Sequence, residues 1–305
     1  MSLTRTFDVG ALRCHTLEAG RQLLDGGAMF GVVPKPLWSR RIPADERNRI
    51  PLALRCLLVE HPEGLVLIDT GVGNKEDDKF RDMYGIENGG TAGPTQLEDA
   101  LAEVGFSPDD VAWVINTHLH FDHAGGNTYR EPDSDRALLA FPWSTHIVQR
   151  GELDFARHTN ERTRGSYFSH NFEPVGQAGR WQLVDQAVDV LPGITVRLTP
   201  GHVPYHQSVL VADAGDTCLF LADLIPTTAH LPLPWIMGYD VEPLRTLETK
   251  RAILAEAAEQ GWRLVFEHDP AVLWGRARAD GARVVLDEVA SVSDGTAGAG
   301  APRAS

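Results

Sequence analysis

Cysteine is scarce: three in 305 residues, Cys14, Cys56 and Cys218, far apart and set in apolar, strand-like stretches. An odd number without ligand spacing excludes a disulfide framework and a cysteine-based metal site, and leaves buried reduced thiols. Basic residues are also few, 28 Lys and Arg against 42 Asp and Glu, giving a formal net charge of -14. Such a chain repels polyanions and lacks the electrostatic footprint of a nucleic-acid binder, so a small neutral substrate suits it better. No apolar run approaches the roughly 20 residues of a membrane span, and Met1 to Ala11 carries neither an apolar core nor a small-residue cleavage site. The expectation is a cytoplasmic protein without a membrane partner, with a homodimer left open.

What is present suffices for a core. The hydrophobic share is 43% against 23% charged residues, the balance of a globular chain. Short Val, Ile and Leu runs predict buried strands at Leu52–Val59, Leu65–Ile68, Val111–Ile115, Ile194–Leu198, Ser208–Val211, Cys218–Leu221 and Arg263–Phe266. Thr95 followed by Glu98 predicts a capped helix that puts Leu97, Leu101 and Val104 on one face and stops at Gly105. A second helix is predicted from about Pro243 to Gln260, ended by Gly261. Strands in both halves with helices between them predict an α/β sandwich of two sheets covered by helices, not a regular βαβ repeat. Residues 1–290 read as one domain, with 129–177 a polar and aromatic insert or lid, and 291–305 as a disordered Gly, Ala and Ser tail.

The segment from Asn116 to Asn127, Asn-Thr-His-Leu-His-Phe-Asp-His-Ala-Gly-Gly-Asn, places three histidines and an aspartate in six positions after an apolar strand. Imidazole nitrogen and carboxylate oxygen are both metal donors, and alternation along an extended segment puts His118, His120 and Asp122 on one side. His123 is then free to face a second ion. Three more donors also end apolar runs: His202 after Thr199-Pro-Gly, Asp223 after Leu219–Ala222, and His268 after Leu264–Phe266. Four strands thus deliver donors to one edge, where strand ends are rigid. Asp69 ends the Leu65–Ile68 run and reads equally as a turn residue or as a support of the site. Gly125 and Gly126 read as close-packing or plain turn residues.

These residues resemble the metallo-β-lactamase superfamily: His-x-His-x-Asp-His at 118–123, the later His202, Asp223 and His268, and Leu67-Ile-Asp-Thr-Gly71. The likeness spans roughly Leu52 to Pro270. It implies an αββα sandwich of two mixed β-sheets flanked by helices, with two divalent ions at one edge. His118, His120 and His202 would hold one, Asp122, His123 and His268 the other, and Asp223 would bridge them. Zinc is the first expectation for such donors, with iron, manganese or cobalt compatible. The implied activity is metal-dependent hydrolysis.

Departures narrow the branch. His120 stands where flavin-linked di-iron members usually carry Glu, and only 37 residues follow His268, fewer than a glutathione-binding helical domain needs. What remains resembles the acyl-homoserine lactonases and the related arylesterases and organophosphate hydrolases. Many such lactonases place a tyrosine three residues after the bridging aspartate, and this chain has Pro226 there. The expectation is therefore a hydrolase of small esters or lactones, with phosphotriesters or thioesters as the alternative substrates and a metal-stabilised binding protein as the alternative class. Asp122 and Asp223 are expected to take part in the chemistry. His230 and Tyr239, beside the apolar, proline-stiffened run Leu231–Met237, are expected as proton donors or pocket contacts.

Overall fold

A computed structural model of the chain describes residues 2–131 and 136–293. Its sixteen strands follow in chain order. The first group is β1 (Thr4–Val9), β2 (Leu12–Asp25), β3 (Arg49–Glu60), β4 (Leu65–Ile68), β5 (Val111–Ile115), β6 (Thr128–Arg130), β7 (Ala137–Leu139), β8 (Thr145–Gln149) and β9 (Trp181–Val184). The second is β10 (Val188–Leu191), β11 (Ile194–Leu198), β12 (Gln207–Asp213), β13 (Asp216–Phe220), β14 (Arg263–Val265), β15 (Val272–Asp280) and β16 (Arg283–Ser291). One seven-stranded sheet has the order β1-β2-β3-β4-β5-β8-β9, the other runs β10 to β16 in sequence, and β6 pairs with β7 alone. Both large sheets are mixed: β4, β5, β8 and β9 run parallel, as do β13 and β14, and the remaining neighbours are antiparallel.

The continuous apolar runs have a simple cause, because the central strands are covered on both faces. In β3, Leu57 and Val59 enter the core between the sheets while Leu58 faces away. In β4, Val66 and Ile68 point inward and Leu67 outward. The second sheet repeats the pattern, with Cys218 and Phe220 inward and Leu219 and Leu221 outward. Helices close both outer faces. Chain order gives α1 (Gly26–Phe30), α2 (Lys35–Trp38), α3 (Asp78–Tyr84), α4 (Gln96–Glu103), α5 (Phe121–Ala124), α6 (Arg150–Arg157), α7 (Ser169–Gln177) and α8 (Pro243–Gln260). Leu97, Ala100 and Leu101 of α4 cover the first sheet, and Ile253, Leu254 and Ala257 of α8 cover the second. This is the expected αββα sandwich. The capping box at Thr95 is formed, and α8 ends on Gly261 in the left-handed region at φ 67°.

Several expectations change. The stretch 129–177 is not wholly an insert, since β8 hydrogen-bonds with β5 and β9 inside the first sheet. β1 and β2 escaped the sequence reading because β2 mixes polar residues with a bulge between Glu18 and Arg21. The C-terminal hairpin β15–β16 was hidden by its charged outer positions and by two register shifts. The sheet therefore continues through Ser291, the expected first residue of the tail, and 294–305 lie outside the described residues. The three cysteines are free and buried, as expected. No helix among the described residues is long and apolar enough to cross a membrane.

Candidate metal centre

Five loops leave the same edge of the sandwich, after β4, β5, β11, β13 and β14, and each brings a polar residue to one point. After β5 the chain stays extended through His120, so His118 and His120 alternate onto one side. The alternation then ends, because Phe121–Ala124 forms one helical turn. That turn, and not extended backbone, puts Asp122 and His123 in a separate group. Its close fit depends on glycine at the next two positions: a Cβ on Gly125 would lie 2.1 Å from the Val72 carbonyl oxygen, and one on Gly126 2.1 Å from that of Thr70.

The seven expected donors form two clusters. His118, His120, His202 and Asp223 make one, and Asp122, His123 and His268 the other, with the donor atoms of each group within 4.8 Å of one another. In the first, His202 Nε2 lies 3.1 Å from His120 Nδ1. In the second, His268 Nε2 lies 3.2 Å from His123 Nε2. Nitrogens bound to one tetrahedral ion at about 2.0–2.1 Å stand about 3.3 Å apart, so the spacings suit a shared cation. Asp223 lies between the clusters: Oδ2 is 3.1 Å from His202 Nε2 and 3.4 Å from His123 Nε2, and Oδ1 is 3.2 Å from His268 Nε2. His118 Nε2 is buried without a hydrogen bond, a cost that a coordinated cation would remove. The residues fit divalent metal.

The far side of four of the five imidazoles is also held. His202 Nδ1 meets Asp240 at 2.9 Å, His268 Nδ1 meets the Ala53 carbonyl at 2.8 Å, and His118 Nδ1 meets Thr117 Oγ1 at 3.1 Å. His123 Nδ1 has two carboxylates, Asp69 at 3.1 Å and Glu267 at 3.1 Å. Such partners fix ring orientation and tautomer. Asp69 also accepts from the Thr117 amide at 2.8 Å and its hydroxyl at 2.6 Å, so it supports the site and is more than a turn residue. Its φ of 57° is left-handed, a conformation this bonding maintains. Gln22 donates to Asp122 at 2.5 Å. Beneath the loop, fully buried Glu152 accepts from the Leu119 amide at 3.0 Å and the Tyr167 hydroxyl at 2.8 Å.

The electrostatics divide the histidines. Burial, helped by neighbouring imidazoles, holds His118 and His120 well below the usual histidine range. Burial also pulls on His268, yet Asp223 and Glu267 outweigh it and raise His268 to about 9. His202 is raised against burial by Asp223 and Asp240, and His123 by Glu267, Asp122 and Asp223. Asp223 itself is driven well below the carboxylate range: His202, His123 and His268 overcome its burial. Asp223 thus favours protons on the imidazoles around it, and a cation binding here competes with them.

Not every expected residue belongs here. His230 is 1% exposed, with Nδ1 on Thr227 Oγ1 and Nε2 on the Met29 carbonyl, each at 2.8 Å. Its ring stacks on Phe30 at 4.5 Å, and it does not line the cavity beside the donors. That corrects the expectation of a proton donor, because both nitrogens are engaged, Nδ1 within its own loop and Nε2 on α1. Tyr239 does line the cavity. His206 packs 5.2 Å from the His118 ring and bonds Thr199, a structural neighbour of the centre. Sequence reasoning missed Asp240, Glu267, Gln22 and Glu152. Glu267 left a trace, a carboxylate wedged between an apolar run and His268; the others have no local pattern.

Asp240 gives a direct test. Asp240→Asn keeps the size but removes the charge that holds His202, and apparent metal affinity should fall about 10–100-fold with the fold intact. Metal titration of the chelated protein checks this; unchanged affinity would mean that Asp240 only pins its loop.

The cavity over the donors has a volume of about 310 Å³. His120, Asp122, His202, Asp223 and His268 form part of its wall; Leu24, Met29, Leu52, Met237 and Val241 give it an apolar side; Tyr84, Tyr239 and Arg162 add polar groups.

Comparison with known proteins agrees with this geometry. The metallo-beta-lactamase superfamily profile matches residues 50–268. An N-acyl homoserine lactonase of Bacillus thuringiensis is 32% identical over 208 residues, 65% of this chain and 70% of that protein. The N-acyl homoserine lactonase AttM of Azorhizobium caulinodans is 31% identical over 231 residues, 70% of this chain and 80% of that protein. Among solved structures, a probable metal-dependent hydrolase from Staphylococcus aureus is similar with a TM-score of 0.83 and 30% identity, covering 92% of this chain and 99% of that one. AidC, a dizinc quorum-quenching lactonase, shares the fold at a TM-score of 0.76 and 20% identity, over 94% and 98% of the two chains.

Proposed function

This chain belongs to the metallo-beta-lactamase superfamily and is a metal-dependent hydrolase, and from that premise we propose that it opens small lactones or esters carrying an apolar acyl arm at a dinuclear centre. One observation carries the reading: a single carboxylate, Asp223, reaches three imidazoles of two donor clusters. The lactonase relatives and the apolar cavity wall support the substrate class. When bound, two divalent ions, zinc first among them, would polarise the acyl oxygen and make water a nucleophile near neutral pH.

The protein's own groups do the rest. Leu24, Met29, Leu52, Met237 and Val241 take the acyl arm and exclude water from the reacting carbon. Asp122, oriented by Gln22, faces the cavity where the water oxygen attacks. As the new C–O bond forms and the ester C–O bond breaks, Asp122 receives a water proton and returns it to the departing oxygen. Pro226, which replaces the lactonase tyrosine, serves the backbone: its carbonyl accepts from the His268 amide at 3.0 Å. Tyr239 contacts the substrate from the rim.

The test is a panel of lactones, aryl and alkyl esters, thioesters and phosphotriesters, run on protein of measured metal content. Lactones and esters should turn over, chelation should abolish the activity, and added metal should restore it. Turnover confined to phosphotriesters or thioesters would reassign the substrate; chelation-resistant hydrolysis would remove the centre from the mechanism.

A further inference from the structure

Position 226 has no phenol, yet two phenols reach the cavity from other parts of the chain. Tyr84 is the last residue of α3, and Tyr239 follows the proline-stiffened run. Their placements differ. The Tyr84 ring lies 4.5 Å from Phe80 and 5.4 Å from Phe121, whose own rings meet edge-on at 5.0 Å. Phe121 is the residue before Asp122, so this aromatic cluster joins the Tyr84 ring to the turn that carries the expected proton carrier. Tyr239 sits on a loop, is 37% exposed, and has no ring contact among the described residues.

The end of α3 is equally determined. Gly85 caps the helix in the left-handed conformation, φ 51°, and a Cβ there would come within 2.6 Å of Leu23. The helix thus ends tightly against Leu23 directly after Tyr84. Among the described residues the Tyr84 hydroxyl has no hydrogen-bond partner, although the side chain lines the cavity beside Asp122. A ring locked by packing with its only polar atom unused is a preorganised donor.

We propose that Tyr84 is a catalytic residue that donates a hydrogen bond to the departing oxygen of the substrate. The inference rests on the hydrolase reading above. In that reading the metal centre serves the attacking water and the acyl oxygen, and the departing oxygen, which takes its proton through Asp122 as the C–O bond breaks, has no hydrogen-bond donor held on it beforehand. Burial, and after it the nearby Asp122 carboxylate, push the phenol above its ordinary range, so it keeps its proton. It therefore donates a hydrogen bond without transferring the proton. The balance is unchanged: the water oxygen bonds the acyl carbon, the ester C–O bond breaks, and the proton on the new alcohol arrives from water through Asp122.

Tyr84→Phe retains the ring and removes only the hydroxyl. It should lower kcat about 10–100-fold, the effect of one hydrogen bond to a charged oxygen, with KM, metal content and Tm nearly unchanged. The loss should be larger for alkyl than for activated aryl esters, whose leaving oxygen needs less help. A second readout does not depend on turnover: the hydrolysed hydroxy-acid product, titrated by calorimetry, should bind the variant more weakly than the parent. Normal kcat on alkyl esters and normal product affinity would overturn the proposal while leaving the hydrolase reading intact. A parent protein that hydrolyses nothing in the panel would overturn the reading itself.

Discussion

Asp223→Ala should empty both metal positions together and lower lactone or ester hydrolysis by about 10³-fold or more, since the lost metal charge stabilisation amounts to several kcal/mol. The reason lies in the contacts. One Asp223 oxygen lies near His202 and His123, and the other near His268, so no other donor touches both clusters so directly. The carboxylate also carries much of the compensating charge in the centre. Without it, His123 and His202 stand close together, and the imidazoles that a cation must meet lose the group that offsets their mutual repulsion. Metal analysis after gel filtration is the decisive measurement. His268→Ala, by contrast, should deplete mainly the Asp122 and His123 side. If Asp223→Ala retained two ions per chain and full rate, Asp223 would not be the bridge.

Arg55→Met should destabilise the fold by about 3–5 kcal/mol, the cost of stripping one partner from a buried ion pair. Arg55 is fully buried in β3. Its guanidinium meets Glu18 at 2.5 Å and donates to the carbonyls of Phe266 at 2.5 Å, Asp269 at 3.1 Å and Val272 at 3.3 Å. A charge rooted in the first sheet thus holds the backbone on both sides of His268, which belongs to the second. Methionine fills the volume but leaves Glu18 and three carbonyls unserved. Denaturant unfolding should show the lower midpoint, and metal affinity should fall in parallel because the His268 loop is released. A variant of parental stability would show that water can replace these contacts.

Arg55 also marks where the sequence stops being legible. The seven donors were readable because each ends an apolar run, and apolar runs mark strands covered on both faces; Ile68, Ile115, Leu198, Phe220 and Val265 do end strands at one edge. α8 was readable to the residue because Pro243 and Gly261 punctuate it. The supporting carboxylates were not. Asp240 reaches His202 from 38 positions away in a loop with no period, and Gln22 reaches Asp122 across 100. Such contacts depend on the approach of elements far apart in the chain, which no local pattern encodes. Asp69 lies between these cases, visible as a turn but ambiguous until Thr117 and His123 are seen beside it. His230 was misread for the opposite reason: next to a proline-rich run it looked like a cavity residue, but the loop turns its ring onto Phe30. The single helical turn at Phe121 shows a third limit, since the expected donors do come together in two clusters while the extended backbone thought to align them ends at His120.

The division of the donors between the two sheets has a consequence for assembly. His118, His120, Asp122 and His123 follow a strand of one sheet, while His202, Asp223 and His268 follow strands of the other. Each donor cluster draws residues from both sheets, so neither sheet alone supplies either cluster. A cation bound to either cluster would therefore act as a rivet across the sandwich, and its binding energy would add to the work of prising the layers apart.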